Sequence, residues 1–105
     1  ENIGISCIIG HMNKSKTAKQ IERHIKGIAN HRRIEILFLV AENDNITLDS
    51  IAYRLHCNIK TISEHTRRLV LAGLVNKKYR GRSVEHTLSP YGKTFHKFIT
   101  TFSYS

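Results

Sequence analysis

The chain has 105 residues, with 17 Lys and Arg against 8 Asp and Glu and a formal charge of +9. The length of one domain with that charge excludes most enzyme classes, and a small basic domain most often meets a polyanion, with nucleic acid leading. Forty per cent hydrophobic residues, one proline and six glycines support a small core rather than a disordered or collagenous chain, and no run approaches the ~18 apolar residues of a membrane span.

Two cysteines, Cys7 and Cys57, follow no metal-ligand spacing and are too few for a disulfide framework. A reducing cytoplasm is the expected compartment, with no membrane partner. Residues Glu1 to Gly10 are apolar, lack a basic leader and run into Gly10-His11-Met12. Residues 1–11 therefore read as an expression-vector remnant, with Met12 as the natural start and 12–105 as one domain. The rival reading is an edge strand carrying Ile3, Ile5, Ile8 and Ile9.

From Thr17, the residues Ile21, Ile25 and Ile28 recur at helical spacing with Lys19, Glu22, Arg23 and Lys26 between them. A second helix starts near His31 and is apolar almost all round through Ala41, which places it in the centre. It ends at the turn cluster Asn43-Asp44-Asn45. Thr47 offers an N-cap for a short helix with the stripe Leu48, Ile51, Ala52 and Leu55. His56-Cys57-Asn58 interrupts, Asn58 caps a fourth helix to Ala72, and Gly73 supplies a left-handed terminator. Two helices joined by three or four residues form a helix-turn-helix.

Leu74 to Tyr79 and Arg82 to Leu88 read as strands joined at Arg80-Gly81, with Val84, His86 and Leu88 on one face. Ser89-Pro90 then starts a last helix lined by Tyr91, Phe95, Phe98, Ile99 and Phe102. The expected fold class is mostly α with a small β-hairpin, in the order α-α-α-α-β-β-α.

Three segments carry a family resemblance. Ile28 to Ile34 resembles the "LANPTRLRIL" opening of ArsR-type (arsenic-repressor-like) winged helix-turn-helix regulators, with His31 where proline is usual. Leu55 to Val75 is similar without a gap to "LGLSQSTVSRHLKVLREAGLV", and Gly81-Arg82-Ser83-Val84 with Leu88-Ser89 resembles the wing's "GRWVYYRLS". The ending Leu88 to Lys93 is closer to the "LTPKG" of MarR-type proteins. The resemblance implies a dimeric DNA-binding transcriptional regulator, most simply a repressor.

The residues themselves lead to a compatible expectation. The second helix of a helix-turn-helix enters the major groove. Helix 59–72, with Asn58 at its start, presents Lys60, Thr61, Ser63, Glu64, His65, Arg67 and Arg68, while Ile62 and Leu69 face inward. Lys60, Thr61 and Ser63 suit phosphates or bases, and Arg67 suits guanine or a phosphate. Glu64 either accepts from a cytosine amino group or pairs with Arg67 or Arg68. Thr66 and Arg68 depart from the family's apolar residues; Thr66 still packs a methyl group, and Arg68 turns outward or pairs with Glu64 or another acid. Protonation of His65 is expected to strengthen binding below about pH 6.5.

The wing, residues 77–83, carries Lys77, Lys78, Arg80 and Arg82, expected to track phosphates or the minor groove. Tyr79 is either a core plug or a phosphate donor. Ile21, Ile25 and Ile28 with Phe95, Phe98, Ile99 and Phe102 are the expected homodimer interface.

No metal, cofactor or catalytic residue is expected. Thr47 to Ile51 lacks the thiolates of the family's soft-metal site, the last helix offers only His96 for a zinc site, and no nucleophile-base pair or phosphate loop can be assembled. Cys57 reads as a structural cysteine beneath the recognition helix. The rival functions are a sequence-indifferent architectural DNA-binding protein and a winged-helix protein-interaction module. No feature specifies an effector.

Overall fold

Side-chain caps set where the helices begin. In the computed structural model, which describes residues 15–105, Thr17 and Gln20 form a reciprocal capping box at the start of α1, Ala18–Ile28. Asn30 accepts from the backbone N–H groups of Arg32 and Arg33 at 3.0 and 3.1 Å and opens α2, His31–Glu42. Thr47 caps α3, Leu48–Leu55; Asn58 caps α4, Ile59–Leu71; and Ser89, followed by Pro90 at the first position, caps α5, Pro90–Ser103. Each cap satisfies donors that the first helical turn leaves without partners, and is worth about 1 kcal/mol. The vector-remnant reading of residues 1–11, its rival strand and Cys7 lie outside the described residues.

Among the described residues three strands accompany the helices: β1, Ile46–Thr47, β2, Val75–Arg80, and β3, Ser83–Leu88, in the antiparallel order β1-β3-β2. The order over residues 15–105 is therefore helix, helix, strand, helix, helix, strand, strand, helix. β1 corrects the expectation of a plain turn after α2. Asn45 adopts a left-handed conformation at φ 63°, and the next two residues pair with His86 and Glu85. A two-residue strand has no alternation to betray it.

The hairpin turn is also corrected, by one residue. Arg80 pairs with Ser83, so the connection is Gly81-Arg82 rather than Arg80-Gly81. Gly81 at φ 62° takes the first central position, where a tight hairpin demands a positive φ. Gly73, at φ 77°, ends α4 as expected.

The core is built around α2 and α4. Ile36, Leu37 and Val40 of α2 meet Ile51 and Ala52 of α3, Ile62 and Leu69 of α4, and Leu74 and Val75 at the start of the hairpin, all buried. Each large aliphatic side chain so buried contributes about 1.5–3 kcal/mol. Two buried histidines fasten distant segments. His24 Nδ1 donates to the carbonyl of Ala72 at 2.6 Å, and His86 Nδ1 donates to that of Ile46 at 3.1 Å. At Gly27, α1 crosses the end of α4 so closely that an added Cβ would collide with that of Ala72. No helix among the described residues is long and apolar enough to cross a membrane.

Candidate nucleic-acid interface

The turn between α3 and α4 holds the helix pair in a fixed relation. His56 takes a left-handed conformation at φ 53°. The Cys57 N–H donates to Ala52, and its thiol donates to the Leu55 carbonyl at 3.3 Å. Asn58 then spends its side-chain oxygen on the Lys60 N–H at 2.7 Å. Its direct structural role is thus the cap that starts α4.

From that start, α4 divides cleanly by its 3.6-residue period. Ile62, Thr66 and Leu69 are buried. Thr66 fits there because its hydroxyl donates to the Ser63 carbonyl at 2.9 Å, which leaves its methyl group to pack. Lys60, Thr61, Ser63, Glu64, Arg67 and Arg68 are exposed, and His65 is half-buried.

Glu64 holds the outer face together. Its carboxylate accepts from Arg67 Nε and NH2 at 3.1 and 2.7 Å and from Arg68 Nε at 3.0 Å. The hydrogen bonds from Arg67 and then Arg68 bring its pKa down to about 2. Of the two readings of Glu64, the free structure shows the intrahelical pair. Arg68, apolar in the resembled family, is thereby accommodated by pointing outward.

His65 does not stand on the open face with its neighbours. Its Nδ1 accepts from Arg33 NH1 at 3.4 Å, across from the first turn of α2. Desolvation, followed by the charges of Arg33 and Arg32, lowers its pKa. The expected protonation threshold near pH 6.5 is corrected downward for the free protein.

The wing's cations occupy two faces of the hairpin. The register puts Lys77 opposite the buried His86, and its Nζ lies 5.7 Å from the centre of the exposed Tyr79 ring. Tyr79 is therefore no core plug. Lys78 and Arg80 project from the other face, where Arg80 Nε donates to Glu85 at 3.1 Å. Arg82 sits in the turn, exposed.

The seven expected interface residues also separate. Ile21, Ile25, Phe98 and Phe102 are exposed, Phe95 and Ile99 are half-buried against the core, and Ile28 belongs to the core at 6% exposure. Ile28 is thus corrected from interface to interior, because α1 turns that edge of its stripe toward α2 and α4. The two helices meet at the buried His24 of α1, whose ring lies 5.0 Å from that of Tyr91 of α5 at a tilt of 42°, and within α5 Phe98 stacks on Phe102 at 6.0 Å.

Sequence reading missed several features: β1, the two histidine fasteners, the Asn30 cap, and a basic cleft between α1, α2 and α4. Only the Asn30 cap had a local signal, an Asn directly before the helical pattern. Among the described residues, no group of three His, Cys, Asp or Glu gathers in a way that suits a metal ion.

A helix-turn-helix whose second helix exposes a polar, cation-rich face beside a cationic β-hairpin defines a winged helix fold. Comparison with known proteins agrees. Residues 29–80 match the model of the MarR family. Over 65 residues the chain is 32% identical to the transcriptional activator HlyU of Vibrio cholerae, a match covering 62% of this chain and 59% of that protein. The fold superposes on a structure of HlyU from Vibrio cholerae with a TM-score of 0.77 at 25% identity, covering 86% of this chain and 98% of that one. It superposes with a TM-score of 0.74, at 24% identity and covering 81% and 79%, on a homodimeric winged helix-turn-helix DNA-binding domain from Mycobacterium bovis, described as a possible ArsR-family regulator. The MarR-family match falls on the helix-turn-helix and β2, not on the Leu88–Lys93 segment that carries the MarR-type resemblance in the sequence.

Proposed function

We propose that the protein is a sequence-specific double-stranded DNA-binding transcriptional regulator that acts as a homodimer. The observation that carries this reading is α4 itself. Its inner side is locked into the core by Ile62, Thr66 and Leu69, while Lys60, Thr61, Ser63, Glu64, Arg67 and Arg68 stand exposed on a rigid helix of 13 residues. That is the form of a helix that enters a major groove with its N-terminal part on base edges. Lys77, Lys78 and Arg82 of the wing supply phosphate contacts at its flank.

Ile21 and Ile25 of α1, with Phe98 and Phe102 of α5, form the homodimer contact, extended by the half-buried Phe95 and Ile99. Four large apolar side chains exposed on these two helices offer a surface for a partner to cover. The homodimeric state of the structurally similar Mycobacterium bovis domain supports a second copy. The Leu55–Val75 and Gly81–Val84 resemblances support an ArsR-like DNA-binding unit, and the 12–105 segment acts as one such unit.

Sedimentation and duplex binding test this together. The wild type should sediment as a dimer and bind duplex DNA in preference to single strands. Phe98→Glu should sediment as a monomer and lose at least ~10-fold in duplex affinity, because two linked half-site contacts become one. A wild-type monomer, or a Phe98→Glu dimer, would refute the proposed interface.

A further inference from the structure

The chain has a second concentration of positive charge, away from the wing. A cleft of about 220 Å³ opens between α1, α2 and α4, lined by Arg23, Lys26, Arg33 and Arg68 and floored by Leu71. Among the described residues no acidic one lines it. Four cations converging on one concavity repel one another unless something neutralises them.

Three of the four have partners of their own. Arg23 donates to the Leu71 carbonyl at 3.1 Å, at the negative end of α4. Lys26 pairs with Glu22 at 3.4 Å, and Arg68 with Glu64. Arg33 is the exception. Among the described residues its Nε is buried with no hydrogen-bond partner, and its NH1 makes only the 3.4 Å contact to His65. Nearby carboxylates are already committed: Glu35 to Arg32 at 2.8 Å, and Glu64 to Arg67 and Arg68.

A half-buried guanidinium with an unsatisfied N–H is costly, and an anion within reach removes the cost. Arg33 also lies in the first turn of α2, which contains no acidic residue. The helix dipole there adds to the attraction for negative charge. A guanidinium fork flanked by further cations suits a tetrahedral oxyanion with several acceptor oxygens.

We propose that this cleft is a phosphate-binding site, with Arg33 as the principal ligand and Arg23, Lys26 and Arg68 closing around the anion. The same chemistry can be presented by a phosphate of a DNA backbone or by a free phosphate. Occupancy reaches the exposed face of α4 by two routes. Arg33 touches His65, and drawing Arg68 toward the anion leaves Glu64 to Arg67 alone.

The test is a titration of the full chain with inorganic phosphate in chloride buffer at constant ionic strength, followed by the arginine side-chain Nε–H signals in NMR. The Arg33 signal should move saturably. Arg33→Gln and Arg23→Gln should each weaken phosphate binding at least ~5-fold, whereas Lys97→Gln, an equal loss of charge on α5, should not. A duplex distinguishes the sources. If it moves the same Arg33 signal, and Arg33→Gln weakens duplex binding and flattens its salt dependence, the phosphate belongs to DNA. If the duplex leaves that signal unmoved while inorganic phosphate still saturates, the ligand is a free phosphate. Silence of the Arg33 signal toward both, or a response that Lys97→Gln reduces equally, overturns the proposal. The phosphate titration uses no DNA, so it stands or falls separately from the DNA-binding reading.

Discussion

His24 Nδ1 lies 2.6 Å from the carbonyl oxygen of Ala72, so the first helix is bonded directly to the residue that ends α4. Ala72 is a residue whose carbonyl has no partner within its own helix, and both groups are buried. The contact therefore fixes the orientation of α4 from its C-terminal end, while the core fixes its inner face.

Removing that bond should be felt in stability. His24→Ala leaves a buried carbonyl unsatisfied and opens space beside Tyr91 and Phe95. The hydrogen-bond loss alone costs about 1–3 kcal/mol, and thermal melting should show a Tm lower by at least ~4 °C. An unchanged Tm would mean that the imidazole contributes nothing there.

Glu64 restrains the two arginines of the recognition face. Its pKa of about 2 keeps it ionised throughout the range in which DNA binding is measured. Glu64→Gln should release Arg67 and Arg68, raise affinity for all duplexes and steepen the dependence on salt. Titrations at two salt concentrations check this. Loss of affinity for one sequence only would instead show that the carboxylate reads a base.

On the wing, the pairing pattern ranks the cations. Lys78→Ala should weaken binding to every duplex alike and lower the salt slope by about 0.9, the value for one phosphate contact. Arg80→Ala should do less, since Glu85 already offsets its charge at 3.1 Å. Equal slopes for wild type and Lys78→Ala would remove Lys78 from the interface.

Two histidines give the protein a pH dependence of fixed sign. Burial is the main cause that lowers the pKa of His86, outweighing its bond to Ile46, and desolvation with Arg33 lowers that of His65. The unfolded chain takes up these protons near pH 6.5 while the folded chain resists them. Stability should therefore be fully present above pH 6.5 and decline as pH falls from 6.5 toward the depressed folded values. Urea titrations across that range measure the decline, and His86→Gln should make it shallower. A stability that rises on acidification would contradict the burial argument.

The elements that follow from neighbouring residues were legible in the sequence. Thr47, Asn58 and Ser89 announce helix starts because cap chemistry acts within three residues, and Gly73 announces an end because few residues tolerate its conformation. The outward set on α4 follows from period alone, except for His65, which is half-buried because Arg33 approaches from another helix. What is not local was hidden. β1 exists through pairing with a strand some 40 positions away, and the Arg23-Lys26-Arg33-Arg68 cleft assembles from three helices. Ile28 shows the limit of the helical stripe: periodicity marks an apolar side but does not say whether the core or a second chain covers it.

The most direct measurement is selection of bound duplexes from a random-sequence library by the wild-type protein, repeated at low and moderate salt. A homodimer with one α4 per half-site should enrich a two-fold-symmetric motif with half-sites about one helical turn apart, and retain it at the higher salt. Binding that vanishes with salt and enriches no sequence would contradict a sequence-specific regulator.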